Sequence, residues 1–343
     1  DGRVEALDHG LKQGHWLIQK GISKLQPIIR PPSQLAIQHS DTPNRSDEDL
    51  KRLIPHSPLK LPSIPYIEAN GEQKKVSLKG KHHLLVFWAT WCGPCIQELN
   101  ILNTQKERLS ESGLEILVLN VDDLNQSADL RTKKIQRVFR RQSWDLDSAM
   151  ATKETLEIVD AAREVILGRQ WTWSIPCSVL LDENGAMIAF YEGSPSLDQL
   201  NADTRNLFKS GLDRQHATPF PGQWYLANYP ADRMAMGEVL FEKSMFHALD
   251  EYMGSLKSIE FSNRGKAAYI CRKAGMESAK ANIPLGIQLL GHAIHFEPQD
   301  TENLYARAIL FQTSKAYAEA INGYESILDL EPRHTRAMAG LAW

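Results

Sequence analysis

Two cysteines, Cys92 and Cys95, stand two residues apart in the stretch Val86 to Leu99, "VFWATWCGPCIQEL". A thiol becomes a nucleophile only as its thiolate, and the pKa of a free cysteine lies above neutrality. The surroundings must therefore do the activating. Here an apolar run ends just before the pair and a helical pattern begins just after it, with Pro94 in what would be the first turn, where its missing N–H costs nothing. A thiolate on Cys92 would face the unpaired N–H groups and positive end of that helix. Cys95, one turn in, is close enough to form a disulfide with Cys92 and to displace whatever Cys92 has captured.

The elements that would hold the pair can be read outward from it. Leu84 to Trp88 and Leu114 to Val121 ("LEILVLNV") are unbroken apolar runs, the pattern of strands buried on both faces. Ile96 to Leu109 between them has helical period, so the unit is strand, helix, parallel strand. Further on, "WSIPCSVLLDENGAMIAFYEG" supplies a strand Ser178 to Leu181, a turn at Asn184-Gly185 and a strand Ala186 to Tyr191.

Four cysteines in 343 residues, with Cys177 and Cys271 lacking close partners, do not make a disulfide-stapled scaffold. Nor do they make a zinc site: His82 and His83 lie on the strand side of the motif, poorly placed to complete a tetrahedron with Cys92 and Cys95. No metal is expected, and no cofactor beyond a redox-active Cys92-Cys95 disulfide. A net charge of −3 favours neither nucleic acid nor an anionic membrane, and no apolar run approaches a membrane span.

The motif and its flanks closely resemble the thioredoxin superfamily and, within it, the TlpA/ResA-like extracytoplasmic thiol-disulfide oxidoreductases, over roughly Leu61 to Leu212. The resemblance implies an α/β thioredoxin fold with a central mixed sheet flanked by helices. It also implies a cis peptide at Ile175-Pro176 facing the cysteines, and exchange of disulfides with protein substrates that pair with the backbone at Ile175. Trp91, Gly93, Pro94, Ile175 and Pro176 would contact substrate. The simplest members of the superfamily keep a buried aspartate six residues before the first cysteine, where this chain has Val86. The ResA-like branch instead has a glutamate three residues after the second cysteine, and Glu98 stands there, one turn beyond Cys95, as a candidate proton carrier. The plain alternative is a solvated helix glutamate. A helix-kinking proline of the family is replaced by Asn100.

Other features have simpler readings. Trp88 reads as core and Trp91 as exposed beside Cys92. Trp171 and Trp173 could line a substrate groove or pack under the insertion. Cys177, directly after Pro176, reads as a small buried side chain rather than a third redox thiol, and Cys271 as helix core. The long crossover from Asp122 to Gln170 holds two charged helical stretches, "KKIQRVFRRQ" and "KETLEIVDAAREVILGR", whose basic face reads as solvated surface.

Toward the C-terminus, residues 34 positions apart correspond: Ile270 and Leu304, Ala274 and Ala308, Gly286 and Ala320, Leu290 and Tyr324, Ala293 and Ile327, Pro298 and Pro332. This resembles tetratricopeptide repeats, which bind peptides or partner proteins, with "MAMGEVLFEKSMFHALDEYM" as capping helices and a third copy begun at Met338. The N-terminal "DGRVEALDHGLKQGHWLIQKG" weakly resembles the end of an ASPIC/UnbV-type domain. The expected organisation is therefore 1–26, tail of a missing β domain; 27–60, proline-rich linker; 61–214, thioredoxin-like domain; 215–343, all-α tetratricopeptide-like domain cut short at its end. The whole reads as part of a larger exported bacterial protein. The rival expectation is an interaction or scaffold protein whose thioredoxin fold only docks partners.

Overall fold

The computed structural model describes residues 52–55, 58–77, 80–167, 174–206, 233–256 and 261–342. The expectations for 1–26, most of 27–60, Trp171, Trp173 and 215–232 lie outside the described residues.

A nine-stranded mixed sheet organises the first part of the chain. Its strands are β1 Arg52–Leu53, β2 Leu59–Lys60, β3 Pro65–Ile67, β4 Gln73–Lys75, β5 His82–Trp88, β6 Leu114–Asn120, β7 Asp147–Ala151, β8 Cys177–Leu181 and β9 Ala186–Glu192. The order across the sheet is β1-β9-β8-β5-β6-β7-β3-β4, with β2 also pairing β9. Strands β5, β6 and β7 run parallel, and β8 lies antiparallel to β5, with Phe87 opposite Cys177. Helix α1, Gly93–Glu111, is the crossover from β5 to β6, and α2, Ala128–Gln142, the crossover from β6 to β7. Helices α3, Lys153–Leu167, and α4, Leu197–Asn206, complete this part.

The alternation along β5 divides the core. Leu84, Val86 and Trp88 pack with Leu99, Leu102 and Ile135 under α1 and α2. Leu85 and Phe87 face the other way, into a cluster with Ile158 and Ala162 of α3. Both faces of β5 are dry, which is why its sequence reads as a continuous apolar run rather than an alternating one.

The second cluster continues into the helical part. Helices α5 Arg233–Glu242, α6 Phe246–Ser255, α7 Phe261–Ser278 and α8 Ile283–Phe296 contribute Leu240, Leu249, Tyr252, Cys271 and Leu289 to the same core as Leu85 and Phe87. Lys243 adds contacts to Asp160 at 3.4 Å and Glu164 at 3.1 Å on α3. Helices α9 Thr301–Thr313, α10 Tyr317–Leu330 and α11 Thr335–Leu341 follow. Close helix approach depends on small residues: a Cβ on Gly286 would lie 2.6 Å from the Gly275 carbonyl oxygen and 2.7 Å from Ala279 Cβ. In the next hairpin a Cβ on Gly323 would lie 3.0 Å from Ala308 Cβ.

Three sequence expectations change or narrow. Arg52–Leu53 and Leu59–Lys60, expected in a linker or wrapping arm, take the second form: they pair with β9 and close that edge of the sheet. β7 was not foreseen. The basic side chains around the crossover are not all solvated: Arg131 of α2 is buried, and Arg163 of α3 is buried with its guanidinium 4.7 Å above the Phe190 ring.

Candidate active site

The site is built where β5 hands over to α1. Cys92 occupies the N-cap position of α1, and Gly93 and Pro94 form its exposed first turn. A helix leaves its first N–H groups without intrahelical partners, and an oxygen side chain usually caps one of them. Here a sulfur does: the Cys95 N–H donates to Cys92 Sγ at 3.2 Å. Cys92 and Cys95 are joined in a disulfide with their Cα atoms 5.3 Å apart. Both are buried, whereas Trp91 beside them is 75% exposed. The pair is thus reached from one side, past an exposed aromatic ring.

Glu98 lies on the buried face of α1 with Cys95 and Leu99, and is 3% exposed. Neither carboxyl oxygen has a hydrogen-bond partner at bonding geometry. Burial pushes its pKa up to about 8, with the nearby Ser194 hydroxyl acting in the opposite direction. The solvated-glutamate alternative is therefore excluded. Val86 is fully buried among apolar side chains.

At the head of β8, the Ile175-Pro176 peptide bond is cis. Its loop is tied to the end of β9 by the Gly193 N–H, which donates to the Pro176 carbonyl at 2.9 Å, with Gly193 at a φ of +96° that favours glycine. Ile175 and Pro176 are half-buried. The structure thus gathers Trp91, Cys92, Gly93, Pro94, Cys95 and Glu98 around one helix start, and Ile175 and Pro176 at the head of β8.

Cys177 follows the cis bond but is sealed in the core. Burial raises its thiol well above the usual range, the charges of Glu98 and Glu192 push the same way, and Arg163 opposes them. Cys271 is likewise buried and raised, by desolvation and then by Asp250. Neither has the environment of a reactive thiol. Among the described residues no group of His, Cys, Asp and Glu is placed to hold a metal, and no helix is long and apolar enough to cross a membrane.

Two arrangements escaped the sequence reading. Asn100, exposed on α1, accepts the Trp144 indole N–H at 2.7 Å. Trp144 stands edge-on to Trp88 and Phe139, with centroids 5.8 and 5.2 Å away, so Asn100 helps hold the aromatic cluster under α1. The second is Asp122, just past β6, which binds Thr90 two residues before Cys92. "VDDL" carries no local signal for this contact, which forms only when β5 and β6 pair.

A family model described as Redoxin matches residues 59–201. The thiol-disulfide oxidoreductase ResA of Bacillus subtilis (strain 168) is 36% identical over 151 residues, spanning 44% of this chain and 74% of that one. The chain belongs to the ResA-like thiol-disulfide oxidoreductase family. It is an oxidoreductase with a thioredoxin fold. A second ResA, from Bacillus thuringiensis subsp. konkukian, is 29% identical over 138 residues, 39% of this chain and 70% of the relative. Among solved structures, a thiol:disulfide interchange protein of the thioredoxin family from Chlorobium tepidum is 22% identical, covers 47% of this chain and 97% of its own, and superimposes with a TM-score of 0.34. The residues matched by the family model end at 201, before the C-terminal helices.

Proposed function

We propose that the chain exchanges disulfides with protein substrates through Cys92 as attacking thiol, Cys95 as resolving thiol and Glu98 as proton carrier. The observation that carries this reading is the closed Cys92-Cys95 bond at the N-terminus of α1, with a buried carboxyl lacking a hydrogen-bond partner one turn further on.

In the reducing direction the Cys92 thiolate attacks one sulfur of a substrate disulfide. That S–S bond breaks, a Cys92-substrate bond forms, and the substrate's other sulfur leaves as a thiolate and takes a proton. Cys95 then gives its proton to Glu98 in its ionised form and attacks the Cys92 sulfur. The second substrate sulfur departs as a thiolate, and the proton on Glu98 serves it. The substrate gains two electrons and Cys92-Cys95 is left as the disulfide. The oxidising direction is the same path reversed. A carboxyl with a pKa near 8 suits both directions because near neutral pH neither accepting nor releasing a proton is steeply uphill.

An extended substrate segment would lie between exposed Trp91 and the cis-proline loop, pairing with the Ile175 backbone and passing over Gly93 and Pro94. The C-terminal helices are read as a tetratricopeptide-like module for a peptide or protein partner. The 34-residue correspondence supports this, because Gly286 and Ala320 occupy equivalent positions in successive hairpins. The ResA-like resemblance supports a location outside the cytoplasm, where a disulfide catalyst meets oxidised substrates. The presence of both cysteines favours turnover over a purely docking role.

Cys95→Ser tests the scheme: Cys92 should accumulate stable mixed disulfides with protein partners, visible on non-reducing gels and identifiable by mass spectrometry. Absence of trapped species with Cys95→Ser, or their appearance on Cys271, overturns it.

A further inference from the structure

The turn that delivers Cys92 is held from one end. The Cys92 N–H donates to the Ala89 carbonyl at 3.1 Å, and Trp91 at the turn's tip is exposed, so nothing packs over it. At Thr90 the situation is different. Its backbone N–H donates to Asp122 Oδ1 at 3.0 Å and its hydroxyl donates to Oδ2 at 2.7 Å, so both carboxyl oxygens are engaged by one residue. Asp122 is 4% exposed, and its own N–H donates to Asn120 Oδ1 at 3.1 Å.

Behind it stands buried Arg131 of α2, which donates to the Asn120 carbonyl at 2.7 Å and to the Ala151 carbonyl at 3.3 Å. Burial lowers the Arg131 pKa, and the charges of Asp122 and Asp123 work against that. The chain of contacts therefore runs from the helix inserted between β6 and β7, across the ends of both strands, to the residue two before Cys92.

We propose that Asp122 is a positioning residue for Cys92: by gripping Thr90 at two points, it fixes the turn so that Cys92 stays in the N-cap geometry where α1 stabilises its thiolate. The proposal rests on the reading of Cys92 as the attacking thiol. A two-point grip sets both the position and the rotation of the Thr90 peptide. The Thr90 and Cys92 backbones are separated by one residue, so freedom at the first is passed to the second. A carboxylate near a thiolate would, by charge alone, oppose its formation. The positioning role and the bare charge thus predict opposite signs when Asp122 loses its charge.

The test is the pH profile of Cys92 alkylation by iodoacetamide in the reduced full chain, read by mass spectrometry for all four cysteines, with the thermal midpoint measured alongside. Thr90→Val keeps the shape and loses the hydroxyl bond, Thr90→Ser keeps the bond, and Asp122→Asn keeps one acceptor without the charge. We expect Thr90→Val and Asp122→Asn both to move the Cys92 profile to higher pH, slowing labelling at pH 7 by about three- to tenfold, tenfold corresponding to one pKa unit. Thr90→Ser should return to the parent profile. An unchanged profile in Thr90→Val, or faster labelling in Asp122→Asn, overturns the proposal. If Asp122→Asn does not fold, the Thr90 pair decides alone. Should the parent itself label first at a cysteine other than Cys92, the underlying reading fails instead, and the proposal with it.

Discussion

Cys92 and Cys271 are both buried cysteines near helices, one at the end of the sheet and one within the C-terminal helices. Cys92 caps a helix and accepts an N–H, whereas Cys271 sits within α7, where the peptide N–H groups are taken up by the helix itself. The first position can stabilise a negative sulfur and the second cannot. Accessibility to solvent is low at both, so the supply of unpaired donors is what distinguishes the two positions. The same contrast holds for the two regions as wholes. Around Cys92 the structure tolerates a buried carboxyl without a partner, while the helical part gains its close contacts from Gly275, Gly286 and Ala308.

The largest effect that could break this contrast is on turnover. Cys92→Ser should reduce catalysed reduction of a generic disulfide to the background rate, and Cys271→Ser should leave it near the parent value. Comparable losses in the two variants would show that helix position does not decide reactivity here.

Glu98→Gln comes next. At neutral pH the carboxyl, with its pKa near 8, is mostly protonated and acts as a donor; as pH rises through about 8 the donor form is lost and the acceptor form gained. Gln can do neither. The variant should keep the disulfide but release mixed disulfides more slowly, by roughly the hundredfold typical of a lost general acid or base, and lose the inflection near pH 8. The same group affects stability. Its folded pKa lies above the ordinary 4.5, so the folded state holds a proton that the unfolded chain has released between those values. Stability from Glu98 is therefore complete below pH 4.5 and falls by about 1.4 kcal/mol per unit until pH 8. Denaturant titrations of parent and Glu98→Gln should diverge in slope across that window. Parallel curves and matching rates would remove Glu98 from the proton path and leave it a buried packing residue.

How much of this was readable beforehand depends on where the information lay. Leu84 to Trp88 and Leu114 to Asn120 announce themselves because long, mostly buried apolar runs reveal a strand without its partner. β7, "DSAMA", does not, since Asp, Ser and Ala disfavour strands and only pairing with β6 and β3 makes it one. Two-residue strands such as Arg52–Leu53 exist solely through β9. The cysteines, Pro176 and Glu98 could be located from motif spacing, but whether Glu98 is buried depends on what covers α1. The Thr90-Asp122 contact spans 32 residues and leaves no periodic trace.

In the helical part, Gly286→Val should cost about 1 to 3 kcal/mol, because the new side chain meets the Gly275 backbone, which cannot give way as a flexible side chain can. The readout is the unfolding midpoint. Cys92 labelling in the still-folded protein should not move. If it does move, the helices communicate with the site through the core they share with β5 and α3.

The smallest effect is expected at Lys243. It reaches Asp160 at 3.4 Å and Glu164 at 3.1 Å, and is the ionic contact between α3 and the end of the α5 hairpin. Its side chain is 22% exposed and those of its partners 35% and 21%, so water still screens the pairs. Pairs of that kind contribute up to about 1 kcal/mol, and Lys243→Met, which keeps the aliphatic stem, should lose no more than that. Yet Glu164 follows Arg163, the buried guanidinium that feels the charges of Glu192 and Cys177 and lies over the Phe190 ring. Were α3 held in place by its ionic contacts, freeing Lys243 would shift Arg163 and alter exchange with protein substrates more than stability. A double-mutant cycle with Glu164→Gln separates the cases. A coupling below about 1 kcal/mol and unchanged exchange rates would show that apolar packing alone joins the two regions. A larger change in rate than in stability would show instead that the helical part acts on the site through α3.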